Sequence, residues 1–531
     1  MAGMAAAITD FDAIVVGAGH NGLVCAAYLA RAGMRTLLVE ARSAVGGTAS
    51  TEEFAGARVN ICNCDHVTFR TTPVMEELRL ADHGLRYLDV EPAQINMTWT
   101  GGPAWPTFHS VEQTIESLAQ TYPQEIDGYR RYLRAATPAV RLVLDAANDP
   151  PSLGGLTKKV IAKRGRGLST LLRWSRRSAA DVMREFFTTD ALQAPGLATG
   201  PMVWGISPEL PGTGLGALTY ALRHVGKVGR PVGGSGMVPE TLLAVFRSHG
   251  GELRTSAAVR AISCEGDAVR GVTLADGTEI TSGVVVSACN PHDTFLQWLS
   301  NPPARAKPLL ERWRKTPNAD GYESKIDGII DAVPRLRALP AKVADQLGDS
   351  VANATTTIAP SIADMHRGFG LIERGEVLDR PGLLVNVPTG LDPTMGPDAA
   401  ADPPVARPRH VFSLEALFTP YGIAGGWPGS DEPMRWLRQY APLVEGDFLG
   451  TLGEWRAMTP DRYEREFHLP AGHATSFAGG PLAALLNKNP ELTRYRTPVA
   501  GLFLTGAATF PGAGVWGASG RNAALTVLKH T

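Results

Sequence analysis

The sequence predicts an α/β fold that combines a Rossmann-like parallel sheet with a discontinuous α+β domain. Three stretches indicate this architecture. The chain opens with a strand–helix–strand unit, carries a helix–strand–hairpin unit near its middle, and closes with a further strand and helix. Because alternating strands and helices favour a parallel sheet, we expect these separated stretches to form one sheet.

The opening unit is defined by its hydrophobic pattern. Residues 13–16 form a short apolar run with β-branched side chains, which is typical of a strand buried on both faces. Small and apolar residues continue from 24 to 32 as a helix, and Gly33 follows as its stop. A second apolar strand over 36–39 completes the unit.

Three glycines mark the turn between the first strand and the helix. Gly17, Gly19 and Gly22 have the spacing G-x-G-x-x-G, which permits a sharp turn, a close backbone approach to a pyrophosphate, and tight packing of helix on strand. Glu40 stands 18 residues after Gly22, where its carboxylate can accept hydrogen bonds from a ribose. In this strand–turn–helix context the motif predicts a bound dinucleotide rather than an ordinary glycine-rich turn.

The composition is typical of a globular protein with two or three domains. Its 531 residues exceed one ordinary core, and a net charge of −1 excludes a global nucleic-acid binder. The cysteines are few and odd in number, unlike a disulfide framework: Cys25, Cys62, Cys64, Cys264 and Cys289. Neither an apolar run of the about 18 residues that a membrane span needs nor a basic signal-peptide start is visible, so we expect a cytoplasmic protein.

The rest of the chain divides into cofactor and substrate parts. A strand is expected at 96–100, helices dominate 110–198 with breaks at 122–123 and 148–155, and 232–290 has a helix, a strand, a hairpin and a final strand. Further on we expect strands at 383–387 and 410–418, a loop at 388–409 and a helix over 435–456. We therefore assign 10–75, 230–300 and 497–531 to the cofactor domain, and 76–229 and 301–496 to the substrate domain, helical in 105–205.

The chain resembles one group of flavoproteins over nearly its whole length. The opening motif with Gly46-Gly47-Thr48, and the closing stretch 497–528, resemble the two-dinucleotide-binding-motif flavoproteins, which bind FAD. Similarity to the phytoene-dehydrogenase-like FAD oxidoreductases, which include carotenoid desaturases and isomerases, is carried by GAGHNGLVCAAYLARAG, PVGGSGMVPETLLAVFRSHGGELRTSAAV, LDPTMGP and LTGAATFPGAGVWGASGRNAA. GAGHNGL and LDPTMGP point to their pyridine nucleotide-disulphide oxidoreductase domain-containing branch.

The resemblance implies a set of cofactor contacts. In such proteins the second glycine pair approaches FAD, Val259 lends its backbone to the adenine, and the helix starting near Ser519 directs its N-terminus at the flavin, with Arg521 adding positive charge. The expected cofactor-binding residues are Gly17, Gly19, His20, Asn21, Gly22, Glu40, Arg42, Gly46, Gly47, Thr48, Val259, Gly506 and Asn522. The chain departs from many relatives at Thr48, where they carry arginine or lysine, and at His473, where they carry glycine.

Asp65 and His66 are the candidate catalytic residues. They follow Cys62-Asn63-Cys64, which the resemblance places close to the isoalloxazine, and an Asp-His pair there can take a proton as hydride leaves. In the alternative interpretation His66 makes local hydrogen bonds and the cysteines fill small core gaps. Cys-x-Cys is too close for an easy disulfide and lacks further ligands for zinc. His473 is a weaker candidate.

Four functions remain open at this point. A FAD-dependent dehydrogenase or desaturase acting on a lipophilic, isoprenoid or polyene substrate is favoured. The alternatives are an amine or alcohol oxidase using oxygen, a flavin-dependent isomerase, and a flavin-binding protein without turnover. Because the chain has one nucleotide fingerprint, oxygen or a quinone is favoured over NAD(P)H as electron acceptor. No metal, nucleic acid or defined oligomer is indicated.

Residues 151–180 carry a local surplus of positive charge. The segment contains no acidic residue but eight cations, Lys158, Lys159, Lys163, Arg164, Arg166, Arg173, Arg176 and Arg177. Apolar residues alternate with them at helical spacing, and Trp174 is the expected interfacial aromatic. The pattern indicates a solvated helical face, a contact with an acidic partner or substrate, or a helix that rests on an anionic membrane surface.

Overall fold

The computed structural model describes residues 9–62, 65–317, 320–403, 405–473 and 489–531. In chain order its strands are β1 Ala13–Val16, β2 Thr36–Val39, β3 Thr51–Phe54, β4 Ala57–Asn60, β5 Tyr87–Asp89, β6 Gln94–Thr98, β7 Trp105–Thr107, β8 Gly229–Pro231, β9 Glu252–Arg254, β10 Val259–Glu265, β11 Ala268–Leu274, β12 Glu279–Thr281, β13 Val285–Ser287, β14 Leu299–Ser300, β15 Tyr322–Ile330, β16 Thr356–Ala359, β17 Leu383–Asn386, β18 His410–Thr419, β19 Leu452–Met458 and β20 Leu502–Leu504.

The α-helices of the same residues follow in chain order. They are α1 His20–Arg31, α2 Val74–Glu77, α3 Val111–Thr121, α4 Ile126–Ala147, α5 Leu153–Ala162, α6 Leu168–Trp174, α7 Ala179–Phe186, α8 Asp190–Ala198, α9 Thr219–Val225, α10 Met237–Ser248, α11 Lys307–Lys315, α12 Ala341–Leu347, α13 Ile362–Ile372, α14 Pro388–Leu391, α15 Glu432–Tyr440, α16 Phe448–Thr451, α17 Pro460–Phe467, α18 Pro490–Thr493 and α19 Ala518–His530.

A five-stranded parallel sheet joins the beginning, middle and end of the chain. Its spatial order is β20-β13-β1-β2-β9, and every neighbouring pair is parallel. The three central strands are fully buried, as their uninterrupted apolar sequences predict. The α/β class and the assembly of one sheet from three distant stretches are therefore confirmed.

Helix α1 packs on α10 and α19 and brings the two ends of the chain together. The contact between α1 and α19 is so close that a Cβ at Gly520 would lie 2.2 Å from the backbone oxygen of Asn21. Glycine and alanine line this contact because larger side chains would separate the helices. Both helix N-termini consequently lie at the same end of the fold.

A mixed seven-stranded sheet forms the second layer. Its spatial order is β19-β15-β18-β17-β16-β6-β7, antiparallel except between β16 and β6. One face carries apolar residues such as Ile326, Leu414 and Phe412, which pack against Trp436 and Tyr440 of α15. The opposite face is polar, as described below.

Helices α3 to α9 form the predicted helical block. Its core contains Trp105, Tyr129, Tyr132, Trp174 and Tyr220, all fully buried or nearly so. The predicted break at 122–123 and the loop after 148 are present, with α3 ending at Thr121 and α5 starting at Leu153. No helix of the described residues is long and apolar enough to cross a bilayer.

Two sequence-based expectations are corrected. The helix expected over 435–456 is α15, which ends at Tyr440, and the strand β19 occupies 452–458. Trp174 is not an interfacial aromatic, because it is fully buried and its ring centroid lies 6.1 Å from that of Tyr132. The strand β15, for which we made no prediction, is the central partner of β18 and β19.

Candidate active site

The first glycine loop leads from β1 into α1. Gly17 has a left-handed backbone with φ of +95°, and a Cβ at Gly22 would lie 2.0 Å from the oxygen of Gly17. Gly19 differs, because its φ of −65° and ψ of 166° suit any residue and a Cβ there would meet no atom within 4 Å. The chain requires glycine at 17 and 22, whereas open space lies in front of Gly19.

The second glycine loop lies directly against the first. The Gly46 amide donates to the oxygen of Ala18 at 2.8 Å, and Gly46 pairs with Gly19 as an isolated parallel bridge. A Cβ at Gly47 would come 3.5 Å from the Cα of Gly19. Thr48 lies in the short turn Gly47–Ala49 that follows. The two loops thus form one backbone surface.

Glu40 bridges the first loop and the chain after β2. Its carboxylate accepts hydrogen bonds from the backbone amides of Ala18 at 2.7 Å and Arg42 at 2.9 Å, while its own carbonyl accepts from Ala257 at 2.8 Å. Ala257 lies two residues before Val259, the first residue of β10. Glu40, predicted to contact the ribose, therefore lies next to the chain that leads to Val259, predicted to contact the adenine.

Arg42 points its guanidinium at protein groups. It lies 3.9 Å from the ring centroid of Phe467 and pairs with Glu52 at 3.0 Å. Its Nη1 is buried without a hydrogen-bond partner among the described residues. Arg42 and Glu52 line a small cavity of about 140 Å³ beside the second glycine loop.

The C-terminal motif adds a second helix N-terminus. Ser519 Oγ accepts from the Gly506 amide at 3.1 Å, and the Gly520 amide donates to Asn21 Oδ1 at 3.3 Å, which ties α19 to α1. Neither helix has a side-chain cap or an acidic residue in its first turn. Free amides and the positive ends of two helix dipoles therefore lie at the same end of the fold, an arrangement suited to an anionic cofactor.

Two residues of α19 that are predicted to serve the cofactor also contact other parts of the protein. The Asn522 amide donates to the oxygen of Ala147 at 2.9 Å and to the Tyr495 hydroxyl at 3.2 Å, so its nitrogen holds α4 and α19 together. Arg521 forms a bidentate pair with Glu77 at 2.7 and 2.8 Å. That carboxylate offsets the charge of Arg521, and its contribution at the flavin stays a prediction.

The arrangement of these groups fits a flavin dinucleotide. Two adjoining glycine loops, open space at Gly19 and two uncapped helix N-termini provide backbone donors without a competing side chain. No cluster of three or more metal-ligating side chains occurs among the described residues. Gly17, Gly19, Gly46, Gly47 and Gly506 would hold the group by backbone contact, and Glu40 would hold its ribose.

His66 is buried and has a hydrogen-bond partner at each ring nitrogen. Nδ1 lies 2.7 Å from the Tyr87 hydroxyl and Nε2 lies 3.1 Å from Ser235 Oγ. Burial lowers the pKa of His66 to about 3, and burial likewise lowers the pKa of His20, in α1, to about 4. Both imidazoles are neutral at neutral pH, and His66 connects Tyr87 to Ser235.

Asp65 takes different partners from its neighbour. Its carboxylate accepts from Arg230 Nε at 2.7 Å and from Thr355 Oγ1 at 2.6 Å. Asp65 and Arg230 are almost completely buried. The carboxylate thus connects β8 to the mixed sheet, and it does not serve His66 as a hydrogen-bonded dyad in these contacts. Whether either residue acts in turnover stays a prediction.

The other predicted residues of this region have structural contacts. Cys62 Sγ lies 3.5 Å from Glu323 Oε1, whereas Cys25, Cys264 and Cys289 form no disulfide within the described part of the chain. Asn63 and Cys64 lie outside the described residues. His473 Nδ1 bonds the oxygen of Gly321 at 2.9 Å, and burial lowers its pKa.

A buried charged cluster on the mixed sheet was not predicted from the sequence. Glu323, Lys325 and Asp327 alternate along β15 and so share one face, and Lys325 lies opposite Glu415 of β18. Lys325 Nζ donates to the oxygen of Asn60 at 2.6 Å and also to Asp327. Alternating charge in YESKIDGII was the sequence signal that this strand has a buried polar face.

Glu323 and Glu415 form a carboxyl pair that retains a proton. Burial raises the pKa of Glu323 to about 7, and burial together with the neighbouring Glu323 charge raises the pKa of Glu415 well above its usual range. The two side chains share one face of neighbouring strands, because Glu323 lies two residues before Lys325, the strand partner of Glu415. Since two adjacent buried carboxylates cannot both ionise readily, the pair acts as one proton-holding unit near neutral pH.

The polar face continues across the mixed sheet. The Gln94 amide donates to Asn96 Oδ1 and Thr357 Oγ1, both at 2.8 Å, and the Asn96 amide donates to Thr107 Oγ1 at 2.9 Å. The end of β4 and Cys62 lie against the same face, since Lys325 bonds Asn60 and Cys62 bonds Glu323. The chain from Asn60 to Cys62 therefore covers part of this polar face.

Sequence comparisons place the chain among flavoproteins. Residues 22–317, more than half of the chain, match the flavin containing amine oxidoreductase family. The pyridine nucleotide-disulfide oxidoreductase domain-containing protein 2 of Rattus norvegicus is 29% identical, over 98% of this chain and 94% of that protein. One subunit of limonene dehydrogenase, from Castellaniella defragrans, is 27% identical over 98% and 95%. A lycopene-forming phytoene desaturase of Paracoccus is 24% identical over 96% and 95%.

Solved structures share the fold. An oxidoreductase from Methanosarcina mazei is 14% identical with a TM-score of 0.60, covering 97% of this chain and 99% of that one. Cyclohexylamine oxidase from Brevibacterium oxydans is 14% identical with a TM-score of 0.59, covering 98% and 99%. At this identity the similarity shows the architecture alone.

Proposed function

The chain belongs to the flavin containing amine oxidoreductase family, and from this membership we propose that it is an FAD-dependent dehydrogenase that acts on a lipophilic substrate. The membership and the phytoene desaturase relative confirm the resemblance predicted from the sequence. They also establish a flavin-dependent oxidoreductase. The proposal adds the choice of FAD, the class of substrate and the proton acceptor.

The choice of FAD rests on the length of the cofactor cradle. The uncapped N-terminus of α1 suits a pyrophosphate, and Glu40 with the start of β10 offers a ribose and adenine site beside it. The second uncapped helix, α19, suits the electron-rich edge of the flavin ring. FMN lacks the adenylate half and would leave the Glu40 end without a ligand.

The observation that carries the proposal is the junction of α1 and α19 at the two glycine loops. The hydrogen bond from Gly520 to Asn21 fixes both helix N-termini at one end of the fold. When bound there, FAD accepts a hydride and stores the electron pair. The backbone amides of the two glycine loops and of the two helix N-termini would orient the cofactor there.

The proposed proton acceptor is the Glu323–Glu415 pair. Removing two hydrogens from adjacent carbons releases a hydride and a proton, and the proton needs a base if the substrate does not lose it directly to water. A carboxylate oxygen of the pair gains the proton and forms an O–H bond as the substrate C–H bond breaks. A pKa near neutrality suits that step, because the pair can release the proton again after turnover.

The lipophilic substrate class is supported by two relatives. The limonene dehydrogenase and phytoene desaturase proteins are named for hydrocarbon substrates and align with nearly all of this chain. Identities of 27% and 24% leave the substrate-contacting residues free to differ. We therefore assign the class, an apolar molecule with an activated C–H bond, and no individual compound.

The test begins with the cofactor released by denaturation. We expect mass spectrometry to identify FAD, and anaerobic mixing with a panel of terpenes, polyenes and fatty acyl compounds to bleach the flavin absorbance with at least one of them. FMN in the released fraction would contradict the cofactor proposal. Bleaching only by amines or alcohols would contradict the substrate class while leaving the family assignment intact.

A second candidate is an oxidase of an amine or alcohol. The polar face of the mixed sheet favours it, because Gln94, Asn96 and Glu415 offer buried hydrogen-bonding groups that a hydrocarbon does not need. Hydrogen peroxide released in proportion to substrate consumed, in air, distinguishes this oxidase from a dehydrogenase that passes electrons to a quinone.

We also propose contact with an anionic membrane through 151–180. The exposed face of α5 carries Leu153, Lys158 and Ile161, and the two apolar side chains are 68% and 69% exposed. Four of the eight cations in the segment are paired with acids elsewhere: Lys159 with Asp149, Lys163 with Asp145, and Arg173 and Arg177 with Glu185. The electrostatic attraction of this segment to an anionic membrane is therefore weaker than its eight cations alone suggest.

A further inference from the structure

A separate cavity lies on the helical block beside the end of α4. It has a volume of about 410 Å³ and is bordered by residues of α4, the end of α5, the chain before α2 and the chain before β8. Four of its lining residues are cations, Arg70, Arg141, Lys163 and Lys227, and one is an acid, Asp145. None of them belongs to the glycine loops or to the polar face of the mixed sheet.

The cavity keeps a surplus of positive charge after its ion pairs are counted. Lys163 pairs with Asp145 at 2.7 Å, and Arg70 pairs with Asp89 at 2.7 Å. Arg141 and Lys227 form no ion pair with any residue in the described ranges. The side chains of Thr71 and Asn148 add a hydroxyl and an amide to the same wall.

Arg70 is held rigidly at this wall. Its Nη2 donates to Asp89 and to the backbone oxygen of Lys227 at 3.0 Å, and its guanidinium lies 5.3 Å from the ring centroid of Tyr87. Its Nε is buried and has no hydrogen-bond partner among the described residues. These contacts fix the guanidinium, and with it a positive charge, in the lining of the cavity.

We propose that this cavity binds a phosphate group. The two cations that form no ion pair within the described ranges, a fixed guanidinium and two neutral hydrogen-bonding groups match a tetrahedral anion with several oxygens. The cavity opens next to α5, whose last turn precedes Lys163 and carries the exposed Ile161. The phosphate therefore comes from a phospholipid headgroup, whose acyl chains meet that helix, or from a soluble phosphate compound.

The experiment measures binding directly and does not depend on turnover. Holoprotein is titrated by calorimetry with inorganic phosphate and with glycerol 3-phosphate, and is sedimented with phosphatidylglycerol or phosphatidylcholine vesicles at low and at high salt. The test variant is Arg141→Ser with Lys227→Ser. The matched control is Arg314→Ser with Lys315→Ser, which removes the same charge from exposed positions at the end of α11, remote in sequence from the cavity lining.

We expect the wild type and the control to bind at least one probe, and the test variant to bind it at least tenfold more weakly with its flavin content unchanged. Binding of soluble phosphates alone supports the site and identifies a soluble source. If the protein sediments with anionic vesicles and added soluble phosphate lowers the sedimented fraction, the result supports a lipid source. The proposal is overturned if no probe binds, or if test and control variants weaken binding equally.

Discussion

Gly19 and Gly22 belong to one motif but are glycines for different reasons. A Cβ at Gly22 would collide with the oxygen of Gly17, so helix packing excludes any side chain. At Gly19 the backbone is ordinary and the space is open, so nothing in the described part of the chain requires glycine. We therefore propose that the ligand is the reason for glycine at this position, since a bound pyrophosphate would need the volume that a side chain would fill.

Gly19→Val is therefore expected to abolish flavin retention without unfolding the protein. The valine side chain extends into the space in front of the loop and strains no backbone dihedral. The flavin absorbance of the purified protein and its thermal midpoint check both parts. Gly283→Val is the control, because Gly283 is exposed and a Cβ there also meets nothing within 4 Å. A yellow Gly19→Val protein would refute the cofactor position.

The titration of the Glu323–Glu415 pair is expected to make the rate of flavin reduction depend on pH. Glu323 has a folded-state pKa raised to about 7, so its carboxylate, the form that accepts a proton, appears as pH rises through that value. We expect the rate of anaerobic reduction to rise with an inflection near pH 7 and to lose that inflection in Glu323→Gln. Stopped-flow reduction, from mildly acidic to mildly alkaline pH, measures it.

His66→Gln is the control for this profile. Because the pKa of His66 is lowered to about 3 by burial, its titration lies outside the measured range and the inflection of the carboxyl pair should persist. An inflection that disappears in His66→Gln and persists in Glu323→Gln would return the role of base to the histidine predicted from the sequence.

At the scale of elements, the sequence predicted best where the pattern is local. The strand–turn–helix unit around Gly17 was located because its apolar runs and glycines are contiguous. The strand β19 was misassigned as helix because Leu, Glu, Arg, Ala and Met favour helices, whereas pairing with β15 holds them extended. Trp174 was predicted to be exposed at a membrane surface because its segment is basic. In the structure it packs against aromatic residues of α4 and α7, which the local sequence pattern does not reveal.

Arg521 of α19 was predicted to add positive charge at the flavin, and in the structure it contacts protein groups. Its guanidinium binds Glu77, the oxygen of Asn148 at 2.6 Å and, more loosely, Asp149, so it ties α19 to α2 and to the end of α4. We expect Arg521→Ala to lower the free energy of unfolding by about 1–3 kcal/mol, as for a charged hydrogen bond lost. Urea unfolding measures this loss.

The flavin reduction potential distinguishes the two roles of Arg521. If the arginine only ties elements together, Glu77→Ala destabilises to a similar extent, the double variant adds little more, and the potential is unchanged in all three. A more negative potential in Arg521→Ala alone, with normal stability, would instead restore the sequence-based expectation that its charge supports the reduced flavin.

In the whole molecule, Asn60 and Asp65 connect the mixed sheet to β8 and to the chain before α10. Asn60 bonds Ser235 and Lys325, and Asp65 bonds Arg230 and Thr355. Only the proposed cofactor-binding residues could be predicted from the sequence, because they follow one another in contiguous motifs. Arg230, Glu323 and Glu415 come from three separate strands, and no spacing rule connects residues that only the folded topology brings together.

Asp65 tests whether this junction is structural or catalytic. Its carboxylate faces a guanidinium that is 3% exposed, so Asp65→Ala leaves a buried positive charge without that carboxylate and should cost about 3–5 kcal/mol. Asp65→Asn keeps the shape but not the charge, and should also destabilise. Thermal unfolding of the holoprotein measures both, and Asp89→Asn, which removes a more exposed carboxylate from Arg70, is the matched control.

The kinetic outcome separates the two roles of Asp65. If the carboxylate is structural, the folded Asp65→Asn protein should reduce its flavin at nearly the wild-type rate per bound flavin. The rate is measured well below the thermal unfolding midpoint of the variant. A base at Asp65 would give the opposite pattern, a rate lower by a factor of about 100 or more with little loss of stability. Because both carboxylate oxygens already accept short hydrogen bonds, from Arg230 and Thr355, the first pattern is expected.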